Sequence, residues 1–182
     1  MKTLETDRLV LRNFKKDDAD DLYAYLHAPT VSCFFSLTLE NREKAAQEAE
    51  KRSKSDEDIA VCDKNSGRVI GDVFVAPDEH EKDVFSVGWH FNPEFQGQGF
   101  ASEAVRALFN HLFTEQNARR LYAYVEDTNL PSENLCKKLG MRKEGHFIEF
   151  VSFKKDANGN PIYENTMQYA LLKREWDAQR TT

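Results

Sequence analysis

Apolar residues recur along the chain with two different periods, and together they predict a mixed α and β protein. Helical spacing, with Asp17 and Asp18 as cap residues, predicts a first helix that carries Leu22, Tyr25 and Leu26. Helix-forming composition or the same spacing predicts three further helices, at Leu39–Lys54, Phe100–Glu115 and Ser132–Leu139. Alternating or short continuous apolar runs between turn residues predict seven strands, at Arg8–Phe14, Ile59–Asp63, Val69–Ala76, Val84–Phe91, Leu121–Val125, Met141–Phe153 and Ile162–Leu172.

Composition narrows the class of protein. A chain of 182 residues without a repeat, low-complexity tract or linker predicts one domain over residues 1–182. The net charge of −6 leaves no evident basic face, so we expect no nucleic-acid partner. No apolar run approaches the ~20 residues that span a bilayer, and the first seven residues lack the apolar stretch of an export signal. Three scattered cysteines (Cys33, Cys62 and Cys136) fit the reducing cytoplasm and predict neither disulfides nor a metal site.

The candidate chemistry lies where a strand, a glycine-bearing turn and a helix follow one another at residues 84–115. Gly97 and Gly99 allow the backbone to approach a ligand closely, and a helix that begins there offers unpaired amides to a phosphate or pyrophosphate. The run lacks the lysine and spacing of a P-loop and does not fit G-x-G-x-x-G. On these residues alone, a plain glycine turn into a core helix is an equally good interpretation.

Four segments in order resemble one family. Gln96–Ala101 resembles the Q/R-x-x-G-x-G/A acetyl-CoA signature of the GNAT superfamily of N-acetyltransferases. Thr6–Arg12 resembles the opening strand of its Rim-type branch, whose members acetylate the N-termini of ribosomal proteins. Asn129–Gly145 resembles the N-x-x-S…K-L-G-F…E-G block of that branch, and Tyr169–Trp176 resembles its closing strand and E-W ending. The resemblance covers almost the whole chain.

The resemblance implies an α/β (α+β) fold with a mostly antiparallel, twisted, seven-stranded sheet flanked by about four helices. Acetyl-CoA or CoA would lie in the gap between the fourth and fifth predicted strands, Val84–Phe91 and Leu121–Val125, with no metal. The backbone amides of residues 98–102 would hold the pyrophosphate. The implied cofactor-binding residues are Phe91, Asn92, Gln96, Gly97, Gln98, Gly99, Phe100, Ala101, Ser102, Asn129, Ser132 and Asn134.

The same resemblance implies catalytic roles. The amide of Phe91 would bind the thioester carbonyl and then the developing oxyanion. Many family members use a tyrosine as the general acid, but Cys136 stands in that slot, so Ser132 is the first candidate for the acid and Cys136 the second. Ser132 is also expected to cap its helix. Glu149, between apolar neighbours on the sixth predicted strand, is the candidate general base, and an outward-facing strand glutamate is an equally good interpretation.

We expect three further residues at the acceptor side. Phe34 and Phe35 lie in the loop between the first two helices and are candidate walls of the acceptor pocket, although aromatic pairs are more often part of a core. His90 is a candidate proton relay, with a structural or surface role as the more frequent alternative.

The implied reaction is direct transfer of an acetyl group from acetyl-CoA to a primary amine in a ternary complex. A peptide or protein N-terminal amine, as in ribosomal proteins, is the favoured acceptor. A small amine (polyamine, amino sugar or antibiotic) is the second choice. The alternatives are a catalytically silent module that binds or senses acyl-CoA and a structural protein without a ligand. Similar proteins often form dimers, so a cytoplasmic homodimer is expected.

Overall fold

Eight strands form a single sheet in the computed structural model, which describes residues 2–29 and 31–180. The strands are β1 (Leu4–Glu5), β2 (Leu9–Asn13), β3 (Asp58–Asp63), β4 (Val69–Pro77), β5 (Val84–Phe91), β6 (Arg120–Glu126), β7 (Arg142–Lys155) and β8 (Pro161–Leu172). Their order across the sheet is β1-β2-β3-β4-β5-β6-β8-β7. Neighbouring strands are antiparallel except β5 and β6, which are parallel.

Among the residues that the structure describes, five α-helices and three short 3-10 helices accompany the sheet. The α-helices are α1 (Ala19–Leu26), α2 (Arg42–Arg52), α3 (Phe100–Thr114), α4 (Leu130–Lys138) and α5 (Lys173–Arg180). The 3-10 helices are Lys16–Asp18, Ser32–Leu37 and Pro93–Phe95. Within the described ranges, no helix has both the length and the apolar character needed to cross a membrane.

The expected fold is confirmed, with one strand and one α-helix more than the sequence pattern predicts. The extra strand, β1, has only two residues, too few to show a period. The extra helix, α5, is mostly polar and buries one large side chain, Trp176, against Phe109 and Phe113 at ring-centroid distances of 6.1 and 5.8 Å. One buried ring makes no repeat, so the pattern could not predict this helix.

The sheet has a hydrophobic core on each face. Successive residues of β3 divide between the two: Ile59 and Val61 belong to the core with α3 and α5, and Ala60 and Cys62 to the core with α1 and α2. This follows from the two-residue period of a strand buried on both faces. Helix α3 carries its apolar stripe at positions 104, 105, 108, 109, 112 and 113. The stripe anchors α3 and therefore the turn in front of it.

Candidate active site

The parallel strands β5 and β6 pair only at their beginnings. The pairs are Val84 with Arg120, Phe85 with Leu121 and Ser86 with Tyr122, after which β5 continues to Phe91 and β6 to Glu126 without pairing to each other. The sheet therefore opens at the carboxyl ends of two parallel strands, where open α/β sheets bind their ligands. A cavity of about 700 Å³ lies there.

The backbone of β5 presents an amide to this gap. Asn92 donates its amide to the carbonyl of Ile70 at 2.9 Å. Because the N–H groups of successive residues in a strand point to opposite sides, the amide of Phe91 points away from β4 and towards the gap. In the part of the chain that the structure describes, no acceptor lies within hydrogen-bond distance of it. The Phe91 amide is thus available to a carbonyl oxygen in the cavity.

The turn before α3 presents a row of amides to the same cavity. Gly97 and Gly99 have φ values of +75° and +82°, a backbone conformation that glycine adopts without strain. The amide of Gln96 donates to the carbonyl of Pro93 at 3.2 Å, but the amides of residues 97–102 have no acceptor among residues 2–29 and 31–180. Successive unpaired amides at a helix N-terminus form a concave anion-binding site.

Arg8 and Glu103 fix the opposite side of this turn. The Glu103 carboxylate accepts hydrogen bonds from the Thr6 hydroxyl at 2.6 Å and from the Arg8 amide and Nε at 3.0 and 2.7 Å. Burial opposes ionisation of Glu103, but these hydrogen bonds outweigh it and lower the pKa of its carboxyl group. The Arg8 guanidinium also donates to the carbonyl of Gln98 at 3.0 Å and lies 4.3 Å from the centroid of the Phe100 ring. The carbonyl of Gln98 is therefore hydrogen-bonded within the protein, whereas the amides of the turn are left for a ligand.

The structure brings most of the sequence-predicted site residues together around the 700 Å³ cavity. Those that line it are Phe34, His90, Phe91, Gln96, Gly97, Gly99, Phe100, Ala101, Ser102, Asn129, Ser132 and Asn134.

Besides Cys136, which is described below, four predicted residues do not line the cavity. Asn92 is buried and its carboxamide accepts the amide of Glu94 at 3.0 Å, and the Gln98 side chain is exposed. The Phe35 ring lies 4.4 Å from the Lys154 ammonium. The fourth residue outside the cavity is Glu149, which lies in an irregular part of β7.

Glu149 stands where the β7–β8 register shifts between Phe147 and Val151, and its own φ is +49°. The side chain of Glu149 is exposed, and its neighbours Ile148 and Phe150 are 67% and 49% exposed. The apolar setting that the sequence predicts for this carboxylate is therefore absent, because the bulge turns the segment outward.

Ser132 lies in the first turn of α4, and the cap of that helix is a different residue from the predicted one. Asn129 is the N-cap, and its side-chain oxygen accepts the Ser132 amide at 3.2 Å. The Ser132 hydroxyl oxygen instead accepts a hydrogen bond from the Trp89 indole at 3.2 Å. Because this hydrogen bond uses only a lone pair of Oγ, the hydroxyl keeps its own proton available for donation.

Cys136, which stands in the family's tyrosine slot, is fully buried in the core. Burial raises the pKa of its thiol to about 12. A neutral, buried thiol supports the core interpretation of this residue rather than a part in proton transfer.

His90 stacks on Phe34 with ring centroids 3.9 Å apart and meets the edge of Tyr25 at 5.0 Å. Burial lowers the pKa of His90, with a further lowering from Arg52, and the Asp72 carboxylate acts in the opposite direction. Asp72 is buried and accepts the Tyr25 hydroxyl at 2.8 Å. The His90 ring is therefore packed into the cavity wall, and its lowered pKa favours the neutral form at pH 7.

Glu126 is a site residue that the sequence analysis missed. It is the last residue of β6, is only 8% exposed, and accepts the Cys33 amide on Oε1 at 2.5 Å. The strand pattern ends one residue earlier, at Val125, so the carboxylate reads as the start of a loop. Its position at the carboxyl end of a parallel strand, beside a predicted gap, is the signal that could have identified it.

A second cavity of about 380 Å³ adjoins the first. The two cavities share five lining residues, which are Phe34, Trp89, Glu126, Asn129 and Ser132. The carboxylate, the hydroxyl and the indole therefore stand where the cavities meet. Within the described ranges, no group of three or more His, Cys, Asp or Glu side chains is placed to hold a metal ion.

Comparison with known proteins gives consistent matches. The family model of an acetyltransferase (GNAT) domain matches residues 8–142. The uncharacterized N-acetyltransferase YnaD of Bacillus subtilis (strain 168) is 30% identical over 177 residues, which are 96% of this chain and 99% of that protein. A solved structure of a GNAT family acetyltransferase from Bacillus anthracis matches with a TM-score of 0.84 at 24% identity, over 95% of this chain and 99% of that one.

Two other matches have names that state an acceptor. Spermidine N(1)-acetyltransferase of Escherichia coli (strain K12) is 29% identical over 92 residues, 50% of this chain and 46% of that protein. The structure of ribosomal-protein-S5-alanine acetyltransferase from Vibrio fischeri has a TM-score of 0.70 at 21% identity, over 97% of this chain and 99% of that one. Because the family model spans most of the chain and the fold agrees along its length, this protein belongs to the GNAT family and is an N-acetyltransferase.

Proposed function

We propose that this enzyme transfers an acetyl group from acetyl-CoA directly to a primary amine while both substrates are bound. The observation that carries the proposal is that three groups line the first cavity: the unpaired Phe91 amide, and the Glu126 carboxylate and Ser132 hydroxyl at its junction with the second cavity. They are a proton acceptor, a proton donor and an oxyanion donor, which are the three functions that acyl transfer to an amine requires.

The turn at residues 97–102 supports binding of the CoA pyrophosphate. Its amides are unpaired in the described structure, its carbonyl side is held by Arg8, and no Cβ atom projects from Gly97 or Gly99. When bound, acetyl-CoA supplies an acetyl group activated as a thioester, and the transfer releases the CoA thiol and one proton. GNAT acetyltransferases use this co-substrate, and the residues present fit it.

Glu126 is our candidate for the general base, in place of the Glu149 that the sequence favours. An acceptor ammonium must lose a proton before its nitrogen can attack, and a buried carboxylate at the cavity junction is placed to accept that proton. The Cys33 amide holds Oε1. Glu149 is exposed and lines neither cavity.

Ser132 is our candidate for the general acid, and Phe91 for the oxyanion donor. The Trp89 indole donates to Ser132 Oγ, which orients the hydroxyl so that its proton can pass to a leaving sulfur. After attack, the nitrogen loses a second proton, which returns to Ser132 Oγ and restores the hydroxyl. In sum, the ammonium loses two protons: one passes through Ser132 to the thiol, and the other passes through Glu126 to solvent. The pairing of β4 with β5 holds the backbone of Phe91 opposite Gly71, so that its amide stays directed into the gap.

A peptide or protein N-terminal amine is the acceptor that we propose first, with a small amine second. The Rim-type features of the sequence and the fold shared with a ribosomal-protein-S5-alanine acetyltransferase support the first choice. The partial match to a spermidine acetyltransferase supports the second. The predictions of a cytoplasmic location and of a homodimer stay predictions, and size-exclusion chromatography with light scattering tests the latter.

An acceptor screen tests this function. The purified chain is incubated with acetyl-CoA and either N-terminal peptides of ribosomal proteins or polyamines, and acetylated products are identified by mass spectrometry while thiol release is followed. We expect transfer to at least one class of primary amine. A thermal shift with CoA provides the control, since ligand at 100 times Kd stabilises a protein by about 2.7 kcal/mol. Binding without transfer to any amine would instead indicate the catalytically silent module, and no shift at all would indicate a structural protein.

A further inference from the structure

The second cavity begins at the groups to which we assign proton transfer. Glu126 and Ser132 line both cavities, and the unpaired amides of the turn line only the first. A molecule in the second cavity therefore has one end at Glu126 and Ser132, opposite the side on which CoA is proposed to enter. An acceptor amine must reach the thioester from the side opposite CoA and lie beside the base, and a molecule in the second cavity meets both conditions.

Away from that end, the walls of the second cavity are apolar and largely aromatic. They are formed by Leu37, Phe74, Tyr124, Phe150, Val151 and Phe153. Among the described residues that line this cavity, Glu126 is the one charged side chain. The lining thus complements a single ammonium group attached to an apolar body, and it offers no second carboxylate to the further ammonium groups of a polyamine.

The position of one glycine shows how one of these walls is built. Gly88 stands opposite Phe74 in the β4–β5 register, and a Cβ atom on Gly88 would lie 1.9 Å from Cζ of the Phe74 ring. The ring can lie over the backbone of β5 because this position has no side chain. This wall of the cavity therefore depends on the pairing of Phe74 with Gly88.

A buried hydroxyl without a partner, that of Thr166, stands beside Glu126 in this cavity. Thr166 is directly opposite Glu126 in the β6–β8 register and is only 4% exposed. Its hydroxyl oxygen is buried and has no hydrogen-bond partner among residues 2–29 and 31–180. An unpaired buried hydroxyl is costly unless a ligand completes it. A primary amine has enough N–H groups to donate to both Glu126 and Thr166.

We infer that the second cavity is the acceptor site and that it selects a primary monoamine on an aromatic or similarly bulky apolar body, with the amine between Glu126 and Thr166. This inference rests on the proposed function. The amine has two sources with the same chemistry, a free arylalkylamine or the N-terminal residue of a peptide, and the experiment separates them.

The first experiment compares acceptors on the full chain at saturating acetyl-CoA. Initial rates are measured by thiol release with phenethylamine, spermidine, and two peptides that differ only in an N-terminal Phe or Ala. We expect kcat/KM for the aromatic member of each pair to exceed that of its partner by roughly 10- to 100-fold, the range that burial of one large apolar group supplies. The better of phenethylamine and the Phe peptide identifies the source.

The second experiment uses variants. Thr166→Val keeps the shape of the side chain and removes the unpaired hydroxyl, so we expect KM for the amine to rise roughly 5- to 20-fold while KM for acetyl-CoA stays unchanged and the melting temperature of the free protein stays equal or rises. Phe150→Ala is expected to weaken discrimination for the aromatic acceptor. Ile148→Ala is the control, because Ile148 lies on the same strand, is 67% exposed and lines neither cavity.

The outcomes separate the inference from the proposed function. Transfer to spermidine or to the Ala peptide that equals or exceeds transfer to the aromatic partner overturns the inference and leaves the acetyltransferase function intact. If KM for the amine is unchanged in both Thr166→Val and Phe150→Ala, the inference is likewise overturned and the acetyltransferase function remains. Binding of acetyl-CoA without transfer to any of the amines overturns the proposed function, and the inference with it.

Discussion

Replacement of Glu126 by glutamine is the most direct test of the proposed mechanism. The substitution removes the charge and the basicity of the carboxylate but keeps an Oε1 atom that can accept the Cys33 amide, a hydrogen bond of 2.5 Å in the native protein. The local backbone of the 3-10 helix that contains Cys33 should therefore stay in place. Any loss of activity then reports on the carboxylate itself.

The expected loss in kcat follows from the role assigned to Glu126. A positioned general base contributes about 10²- to 10⁴-fold, which corresponds to roughly 3 to 5 kcal/mol in the activation free energy. The stability of the folded protein should not fall, since Glu126 is 8% exposed and its carboxylate is hydrogen-bonded to the uncharged Cys33 amide. Glutamine removes an unpaired buried charge, so the melting temperature should stay equal or rise. A large catalytic loss without a stability loss distinguishes a base from a structural residue.

The assay measures kcat and both KM values by thiol release between pH 7 and 9. Activity of Glu126→Gln should recover with rising pH, because the free amine then forms without help from the enzyme. Glu149→Gln is the matched control, with the same chemical change at an exposed position, and it should keep kcat within about twofold, as surface substitutions usually do. A kcat for Glu126→Gln within threefold of the native enzyme at pH 7, or a larger loss in Glu149→Gln, would refute the assignment.

Three further predictions concern the turn, the acid and the histidine. Gly99→Glu should abolish acetyl-CoA binding in a protein that still folds, because it adds a negative charge to the anion site at a φ of +82°, and unchanged affinity by calorimetry would contradict the turn assignment. Ser132→Ala should lower kcat about 10- to 100-fold with little change in KM for acetyl-CoA, beside a stability cost of ~1 kcal/mol from the Trp89 indole that loses its acceptor, and a stability loss alone would make the hydroxyl structural. The pKa of His90 is lower in the folded protein than in the unfolded chain, so below pH 6.5 the unfolded chain binds a proton more readily. The free energy of unfolding is therefore unaffected by His90 titration above pH 6.5 and decreases as the pH falls below it. His90→Gln should therefore flatten the fall in unfolding free energy between pH 7 and 5 in denaturant titrations, and an unchanged slope would exclude this effect.

Some features of this protein could be predicted from the sequence because they depend on neighbours along the chain. The hairpin of β7 and β8 follows from the turn residues at 156–161, and helix α3 follows from its apolar stripe. The glycine-bearing turn at residues 96–101 determines where unpaired amides can stand, since the backbone there needs positive φ at Gly97 and Gly99. The expected gap between Val84–Phe91 and Leu121–Val125 also agrees with the observed parting of β5 and β6.

The identity of the candidate base could be decided only by the tertiary structure. Glu126 follows the predicted strand Leu121–Val125, and Glu149 lies within the predicted strand Met141–Phe153. The sequence favoured Glu149 as the base because its neighbours along the chain are apolar. The β7 bulge turns Glu149 into solvent, whereas the parting of β5 and β6 leaves Glu126 buried at a cavity junction. The pairing of Glu126 with Thr166 depends likewise on the β6–β8 register, which joins residues 40 positions apart. Local patterns determine which segments are helices and strands, but burial and proton chemistry depend on which distant segments meet, and only the packed sheet determines that.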